Sequence, residues 1–308
     1  MLLILVLLLF ASSMEIASGS DWCYNDQDVC GHTCTGPDIW GAVSRHCSGT
    51  SQSPVNIVTR KVLPDGRLTP FHFSGYQEAF HGRLINNGHT VHLDLPSSLR
   101  IRGGNLFGSY KAVQAHLHWG KDGGPGSEHT IDGEQFSMEM HVVHIKEEYE
   151  TVSQALRDHT GVAVLGFFFQ ESESANKKFD PLINSLKYVT RSSNSTTLRG
   201  VSLEMLLPAW TDMTKYYRYY GSLTTPSCAE AVIWSLFENP IPLSRKQLAA
   251  FSKLQFSNGK QMIRTYRPIQ PLNGRPVYYS RGHVGVVSTL LLVISVIGSS
   301  LLSLHTTG

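Results

Sequence analysis

The stretch QAHLHWG, residues 114–120, places two histidines one residue apart and follows them with a tryptophan and a glycine. In a β-strand the side chains at i and i+2 point to the same face, so His116 and His118 would stand side by side, with Gln114 beside them. Two buried neutral imidazoles need an acceptor for their lone pairs, and a divalent metal is the usual one. The pair alone does not separate a metal site from ordinary core or surface histidines.

Alternation along the rest of the chain predicts the fold class. Short alternating segments, separated by Gly, Pro, Asn and Asp turns, indicate a β-dominated fold: HTVHLDL, KAVQAHLHW, EQFSMEMHVVHI, VAVLGFFF and VSLEMLLP. Helical spacing occurs in TVSQALRDH, NKKFDPLINSLKYV and RKQLAAFSKL. We find no internal repeat and no linker rich in Pro, Gly or Ser, so we expect a single domain over residues 21–280.

Composition excludes several classes of protein. The 308 residues are 41% hydrophobic and 16% charged, which is ample for a globular core. The formal net charge is +2, with acidic and basic residues interleaved rather than gathered into a basic stripe. Nucleic acid is therefore excluded as an expected partner, and long-range steering of anions should be modest.

The two ends have the composition of processing signals. Residues 1–20 combine an apolar run with small residues near the end, the pattern of a secretory signal peptide. Residues 284–304 are apolar, and no Lys or Arg follows them. This favours a removed GPI-anchor signal over residues 281–308, with Ser280 as the attachment residue. A single membrane-spanning helix is the alternative.

Export would give the five cysteines an oxidising environment: Cys23, Cys30, Cys34, Cys47 and Cys228. We expect two bridges and one remaining thiol. Only Cys228 lies far along the chain, so at least one bridge should close a very long loop, which stabilises the fold by roughly 4 kcal/mol or more in the chain-entropy model. The sequon at Asn194 lies in TRSSNSTTLRG, which we interpret as an exposed, glycosylated loop.

A third metal ligand is found downstream of the histidine pair. In EQFSMEMHVVHI, residues 134–145, alternation places Glu139 and His141 on one face. A neighbouring antiparallel strand lies about 5 Å away, close enough for His141 to meet His116 and His118 around one ion. Three nitrogen ligands without a nearby cysteine leave a fourth tetrahedral position open, as in catalytic zinc sites.

With these residues in place, the chain resembles the α-carbonic anhydrases over essentially its whole mature length. The resemblance is carried by WCY, QSPVNI, NNGHTVHL, QAHLHWG, GSEHTIDG, MEMHVVH, GSLTTP and RPIQPLNGR. The signal peptide, the anchor-like tail and the cysteines make it most similar to the extracellular, GPI-anchored branch. The resemblance implies an α+β domain around a large twisted, mostly antiparallel sheet, with a few short peripheral helices and a zinc at the base of a cleft.

The resemblance also implies a role for each motif residue. His116, His118 and His141 match the zinc ligands, and Gln114 and Glu139 match the acceptors that orient ligand histidines. Thr224 matches the threonine that accepts a hydrogen bond from zinc-bound hydroxide and donates its own to a buried glutamate, matched by Glu128. His89 matches the proton shuttle. The apolar substrate wall matches Val143, Val164, Leu223 and Trp234; Thr225 faces the bicarbonate position; Tyr24, Asn87 and His92 match the polar side of the cleft.

Some assignments stay open at this stage. His92 would be either a second proton relay or a solvated side chain. The branch implies a Cys47–Cys228 bridge, whereas Cys30 and Cys34 compete for Cys23; we favour Cys23–Cys34. Ser227 stands where many relatives have a second proline, which puts the stiffness of that loop in question.

The expected function is reversible hydration of carbon dioxide to bicarbonate and a proton by zinc-hydroxide attack, since Zn²⁺ lowers the pKa of bound water from about 15.7 to about 7, an effect that carbonic anhydrase itself exemplifies. The expected location is the outer face of the plasma membrane, reached through the secretory pathway. A bicarbonate or proton transporter would be a natural partner there. A catalytically weak binding or adhesion module on the same fold is the alternative; a zinc peptidase is disfavoured because HExxH is absent.

Overall fold

The computed structural model describes residues 22–27 and 34–280, so the predicted signal peptide and anchor signal lie outside the described residues. Its α-helices are α1 (Val152–Ala155), α2 (Asp180–Ser185) and α3 (Arg245–Phe251). Its strands are β1 (Asn56–Ile57), β2 (Leu63–Pro64), β3 (Phe71–Ser74), β4 (Phe80–Asn86), β5 (Val91–Asp94), β6 (Arg100–Gly103), β7 (Tyr110–Trp119), β8 (Thr130–Ile131), β9 (Glu134–Gln135), β10 (Met138–Lys146), β11 (Val162–Ser172), β12 (Ser195–Val201), β13 (Tyr216–Gly221), β14 (Val232–Ser244) and β15 (Tyr278–Tyr279).

One large mixed sheet organises the described residues. Its main path runs β12-β4-β5-β7-β10-β11-β14-β13-β15-β2, with β6 pairing β3 and β7. Within it, β11 pairs with β14, and β15 with β2, in parallel, and the other pairings are antiparallel. A separate small sheet joins β1, β8 and β9. The predicted β-dominated, mostly antiparallel fold is confirmed.

The sheet is buried on both faces at its centre. β11 reads VAVLGFFFQES, and residues 162–169 of it are all buried. A continuous apolar run of this kind suits a strand covered on both sides, whereas an alternating strand suits a sheet with one solvated face. Two apolar clusters pack on opposite sides, one including Phe167 and Phe237 and the other including Val164 and Trp234. The central strands are therefore packed on both faces.

Local structure departs from the sequence expectation in three places. VSLEMLLP was expected as a strand, but residues Leu203–Leu206 form a 3-10 helix that buries Leu203 and Leu206, a spacing of three. EQFSMEMHVVHI divides into β9 and β10 instead of forming one strand. The stretch around Asn194 is only partly a loop, because edge strand β12 begins at Ser195. Asn194 itself is exposed and precedes that strand.

Two disulfides cross-link the domain. Cys23 bonds to Cys34, and Cys47 bonds to Cys228 across a sequence separation of 181 residues. The helices follow the expected segments but are shorter, and no helix among the described residues is long and apolar enough to span a membrane.

Candidate metal centre

The register of two neighbouring strands brings the three candidate ligands together. β7 carries His116 and His118 on one face, and antiparallel β10 places His141 directly opposite His116. His118 and His141 are each 1% exposed. His141 Nδ1 lies 3.2 Å from His118 Nε2 and 3.3 Å from His116 Nε2. Three ring nitrogens thus converge on one point at the middle of the sheet.

Acceptors on the far side of each ring define the tautomers. His118 Nδ1 lies 2.6 Å from the carbonyl oxygen of Thr265, and His141 Nε2 lies 2.7 Å from Glu139 Oε1. His116 Nδ1 lies 3.0 Å from Gln114 Oε1. Because these oxygens only accept, each of those nitrogens donates, and in the neutral rings the converging nitrogens carry lone pairs. The three lone pairs face one another with no proton between them.

This donor set fits a zinc ion. Tetrahedral zinc with Zn–N bonds of about 2.0–2.1 Å separates its ligand nitrogens by roughly 3.3–3.4 Å, close to the distances found here. Burial, followed by the nearby His141, lowers the pKa of His118 to about 3, and burial lowers the pKa values of His116 and His141 as well. The rings are therefore neutral at pH 7, which is the form that binds a metal.

Glu139 fastens the site to the surrounding fold. Its Oε1 accepts from His141 and also from His129 Nδ1 at 2.7 Å, while Oε2 accepts the backbone N–H groups of Glu128 and His129 at 2.9 and 2.8 Å. Burial acts to raise its pKa, but His129 and His141 outweigh that effect, and the pKa of Glu139 lies well below its ordinary value. His129 extends the network to the Tyr219 hydroxyl, 2.6 Å from its Nε2.

Glu128 presents a carboxylate oxygen to the same point. Its Oε1 accepts from the Arg267 backbone N–H at 2.8 Å, but Oε2 is buried without a hydrogen-bond partner among the described residues and lies 3.4 Å from His118 Nε2. Burial, followed by the neighbouring Glu139, raises the pKa of Glu128, and the nearby Thr224 hydroxyl acts to lower it. A buried carboxylate oxygen without a hydrogen-bond partner, close to the converging ring nitrogens, again fits a cation.

The predicted apolar wall lies beside His141. Val143 pairs with Val164, and Val164 pairs with Trp234, so the three stand in a row across β10, β11 and β14. The ring centroids of Trp234 and His141 are 4.7 Å apart. Leu223 packs partly buried against the same cluster. The four residues thus form a hydrophobic surface that reaches the metal centre.

The polar residues line a cavity of about 120 Å³ that leads to His116 and His118. It is bounded by Asn87, His89, His92 and Thr225 among others, and by Tyr24, which is only 1% exposed. His92 Nε2 lies 3.4 Å from Asp94 Oδ1, and burial lowers the pKa of His92 despite that carboxylate. All the residues predicted for the polar side of the cleft therefore lie along one path.

Several contacts have no signal in the sequence pattern. The carbonyl of Thr265, which accepts from His118, is a main-chain group. Arg267, two residues later, donates its main-chain N–H to Glu128. Trp22 and Gln27 contact His89; of these three residues, only His89 was predicted as a site residue. Ser280, the predicted anchor attachment residue, is fully buried, and its hydroxyl accepts from the Tyr216 backbone N–H at 2.9 Å.

Comparisons with known proteins agree with this geometry. The model of the family described as eukaryotic-type carbonic anhydrase matches residues 35–281. Carbonic anhydrase 4 of Oryctolagus cuniculus is 40% identical over 263 residues, covering 84% of each chain. Carbonic anhydrase 15 of Mus musculus is 36% identical over 287 residues, covering 89% of this chain and 87% of the relative. Carbonic anhydrase 12 of Homo sapiens is 35% identical over 306 residues, covering 96% of this chain and 83% of the relative. The chain therefore belongs to the eukaryotic-type carbonic anhydrase family and is an enzyme of that family.

Proposed function

We propose that this enzyme hydrates carbon dioxide reversibly to bicarbonate and a proton, using one zinc ion held by His116, His118 and His141. The observation that carries the proposal is the convergence of three lone-pair nitrogens, 3.2 and 3.3 Å from one to the next, each with its opposite ring nitrogen bonded to an oxygen. A zinc ion there supplies a nucleophile near neutral pH by lowering the pKa of water to about 7, the value for which carbonic anhydrase is the standard example.

Thr224 and Glu128 orient the reaction. The carboxyl of Glu128 accepts from the Arg267 backbone N–H and faces the Thr224 hydroxyl, which acts to lower the pKa of Glu128 although burial raises that pKa overall. A hydroxyl that donates to a carboxylate must present its own lone pair elsewhere, so Thr224 would accept from the nucleophile and set its direction. Thr225, next along the cleft, would face the bicarbonate product.

The two sides of the cleft separate substrate from proton. Carbon dioxide is small and uncharged, and the wall of Val143, Val164, Leu223 and Trp234 offers it an apolar surface beside His141. The polar side, with Tyr24, Asn87 and His92, would order water between the metal centre and His89. His89 would then accept the proton and pass it to buffer, a task suited to an imidazole, which can both bind and release a proton near neutral pH.

The test is stopped-flow hydration of carbon dioxide by the mature protein across pH, with zinc bound, removed and restored. We expect fast turnover that is lost on removal and regained on restoration. His141→Ala should lose both metal and activity, whereas His159→Ala, which alters an exposed histidine distant in sequence from the three ligands, should keep both. A folded, zinc-loaded protein without activity would refute the proposal and favour the binding-module alternative.

We propose further that the enzyme works at the outer face of the plasma membrane on a GPI anchor, with a transporter of bicarbonate or protons as neighbour. The support is the composition of residues 1–20 and 281–308. Phosphatidylinositol-specific phospholipase C should release the enzyme from intact cells; retention would favour a spanning helix. Attachment at Ser280 would leave no spacer between the lipid and a buried residue that directly follows β15.

A further inference from the structure

We infer that Gln27 is a positioning residue for His89: its side-chain amide holds the neutral imidazole as the Nδ1–H tautomer, so that Nε2 is the nitrogen that receives and releases the transferred proton. The inference rests on the shuttle role proposed above for His89. It concerns a residue that is not part of the metal centre, the substrate wall or the predicted polar lining of the cleft.

The contacts of Gln27 fix the orientation of its amide. Gln27 is 4% exposed. Its Oε1 lies 3.4 Å from the Tyr24 backbone nitrogen and 3.1 Å from His89 Nδ1, and its Nε2 lies 3.0 Å from Ser257 Oγ. A backbone N–H can only donate, so the amide atom facing Tyr24 must be the oxygen. The reversed amide would set two donors against each other, and the Ser257 hydroxyl can serve as acceptor for Nε2.

The orientation of the amide determines the tautomer of His89. The atom facing His89 Nδ1 is the same oxygen, Gln27 Oε1, at 3.1 Å. An amide oxygen only accepts, so Nδ1 carries the hydrogen, and in the neutral ring the lone pair belongs to Nε2. One backbone N–H thus sets the tautomer of a titratable side chain through a single intervening glutamine.

The ring plane is fixed as well. The indole of Trp22 stacks on the imidazole of His89 with centroids 3.8 Å apart and an interplanar angle of 12°. Trp22 is in turn held by a β-bridge to Thr35, and the adjacent Cys23 is bonded to Cys34. Asn258 Nδ2 donates to the main-chain oxygen of Gln27, so the backbone of Gln27 is held as well. The stacking of Trp22 and the hydrogen bond to Gln27 therefore fix the plane and the orientation of the His89 ring together.

This arrangement removes one step from each proton transfer. An O–H bond of a cleft water breaks as its proton forms an N–H bond at Nε2, and that water takes a proton in turn from the next water on the metal side of the cleft. The ring becomes an imidazolium, whose Nδ1–H still donates to Gln27. Buffer base then removes the proton from Nε2, and the ring returns to its starting tautomer. If Nε2 carried the hydrogen in the neutral ring, the ring would need to exchange tautomers or turn over before it could accept again at that position.

The first test is the tautomer itself, read from ¹⁵N NMR of histidine-labelled, zinc-loaded protein, with His89→Ala used to assign the signal. We expect neutral His89 as Nδ1–H. Gln27→Leu removes the acceptor and should shift the tautomer ratio toward Nε2–H by roughly 2- to 12-fold, the worth of one net hydrogen bond. Gln27→Glu is the matched control, because its carboxylate still accepts from both Tyr24 and His89.

The second test is the rate of proton release. In weak buffer, Gln27→Leu should lose turnover in proportion to the measured fall in the fraction of neutral His89 that carries its hydrogen on Nδ1, with kcat/KM for carbon dioxide unchanged and with recovery in imidazole buffer. An Nε2–H tautomer in the unaltered protein, or an unchanged ratio in Gln27→Leu, would overturn the inference even if no variant were active. If His89→Ala left turnover in weak buffer unchanged, the shuttle proposal would fail instead.

Discussion

Thr224 is the residue whose loss should separate orientation from binding. Thr224→Ala deletes the hydroxyl that faces Glu128, so the nucleophile would lose its direction while the metal ligands stay in place. Misorientation of this kind costs about 100-fold in rate. We expect stopped-flow kinetics to show that loss in kcat/KM at normal zinc content, and Thr224→Ser to retain most activity. Unchanged kcat/KM in Thr224→Ala at normal zinc content would contradict this role.

Glu139 should control zinc affinity rather than chemistry. Glu139→Gln keeps the shape of the side chain but weakens the acceptor for His141 and the pairing with His129. Loss of such a partner typically lowers metal affinity about 10- to 100-fold. Competition with a chelating dye measures this directly. Gln114→Ala, which removes the neutral acceptor of the half-buried His116, should have a smaller effect. Equal zinc affinities in the unaltered protein, Glu139→Gln and Gln114→Ala would contradict this account.

Side-chain alternation was sufficient to predict which residues come together at the candidate metal centre. Residues 114, 116 and 118 on one strand, and 139 and 141 on the next, share a face because strands repeat every two residues. The Thr265 carbonyl could not be predicted in this way: it lies 147 positions from His118, and any residue supplies a carbonyl oxygen. Contacts made by the main chain depend on the path of the chain, which periodicity does not give.

At the scale of the element, β10 carries two buried histidines on opposite faces. His141 faces the metal centre. His144 follows a register shift between Val143 and His144 and pairs with the buried Ala112 of β7. The Tyr76 hydroxyl lies 2.5 Å from its Nε2, and its Nδ1 lies 3.3 Å from the Ala163 carbonyl, so His144 is neutral with the hydrogen on Nδ1. Burial lowers its pKa to about 4.

This depressed pKa predicts acid sensitivity of the fold. The unfolded chain binds a proton at His144 near pH 6.5 and the folded chain only near pH 4, so the unfolded state takes up more protons between these values. The stabilisation is complete above pH 6.5 and falls by up to about 3 kcal/mol as the pH drops through that window. Urea unfolding of the zinc-free protein measures it without a contribution from metal release.

The matched variants for this prediction remove one or both partners. Tyr76→Phe/His144→Leu deletes both polar groups, should unfold at nearly the same urea concentration at pH 7, and should lose this part of the pH dependence. Tyr76→Phe alone leaves a buried acceptor unpaired, which costs about 1–3 kcal/mol at pH 7, and it keeps the titrating ring. If the double variant retained the full acid sensitivity, other groups would have to account for it.

Elements could be predicted where local pattern and burial coincide. Helix α3 begins with a capping box between Ser244 and Gln247, a local signal that tertiary contacts do not alter. Residues 201–208 show apolar alternation yet contain a 3-10 helix, because Leu203 and Leu206 are buried together. Strand β12 is polar on most positions, since it is an edge strand that pairs only with β4. Strands whose existence depends on a partner leave little trace in their own residues.

At the scale of the whole molecule, chain order and sheet order differ. β12 lies beside β4, and β11 pairs in parallel with β14 after an intervening 59 residues, from 173 to 231. Such pairings could not be derived from periodicity, and the family resemblance implied only that the sheet is large and mostly antiparallel. The long-range bridge between Cys47 and Cys228 belongs to this scale, because it ties the beginning of the chain to the loop that carries Thr224.

The two bridges should therefore have different consequences. In the chain-entropy model, closing the loop of about 180 residues between Cys47 and Cys228 stabilises the fold by about 5 kcal/mol, and the short loop between Cys23 and Cys34 by about 3 kcal/mol. We expect Cys47→Ala/Cys228→Ala to lower the melting temperature more than Cys23→Ala/Cys34→Ala does. Zinc affinity should change little in either, because neither bridge supplies a hydrogen bond to a ligand histidine among the described residues.

Kinetics would then show what each bridge supports. The Thr224 loop is held by a hydrogen bond from the Cys228 N–H to the Thr225 carbonyl at 2.7 Å and by Ser44 Oγ, which donates to the Ser227 carbonyl at 2.9 Å. Loss of the long bridge should therefore lower kcat/KM, and the bridge would compensate for Ser227 where relatives have proline. Loss of the short bridge should loosen Trp22 under His89 and lower turnover only in weak buffer. Equal melting temperatures for the long-bridge variant and the oxidised parent, or identical kinetic changes in the two double variants, would show that the bridges do not divide their roles in this way.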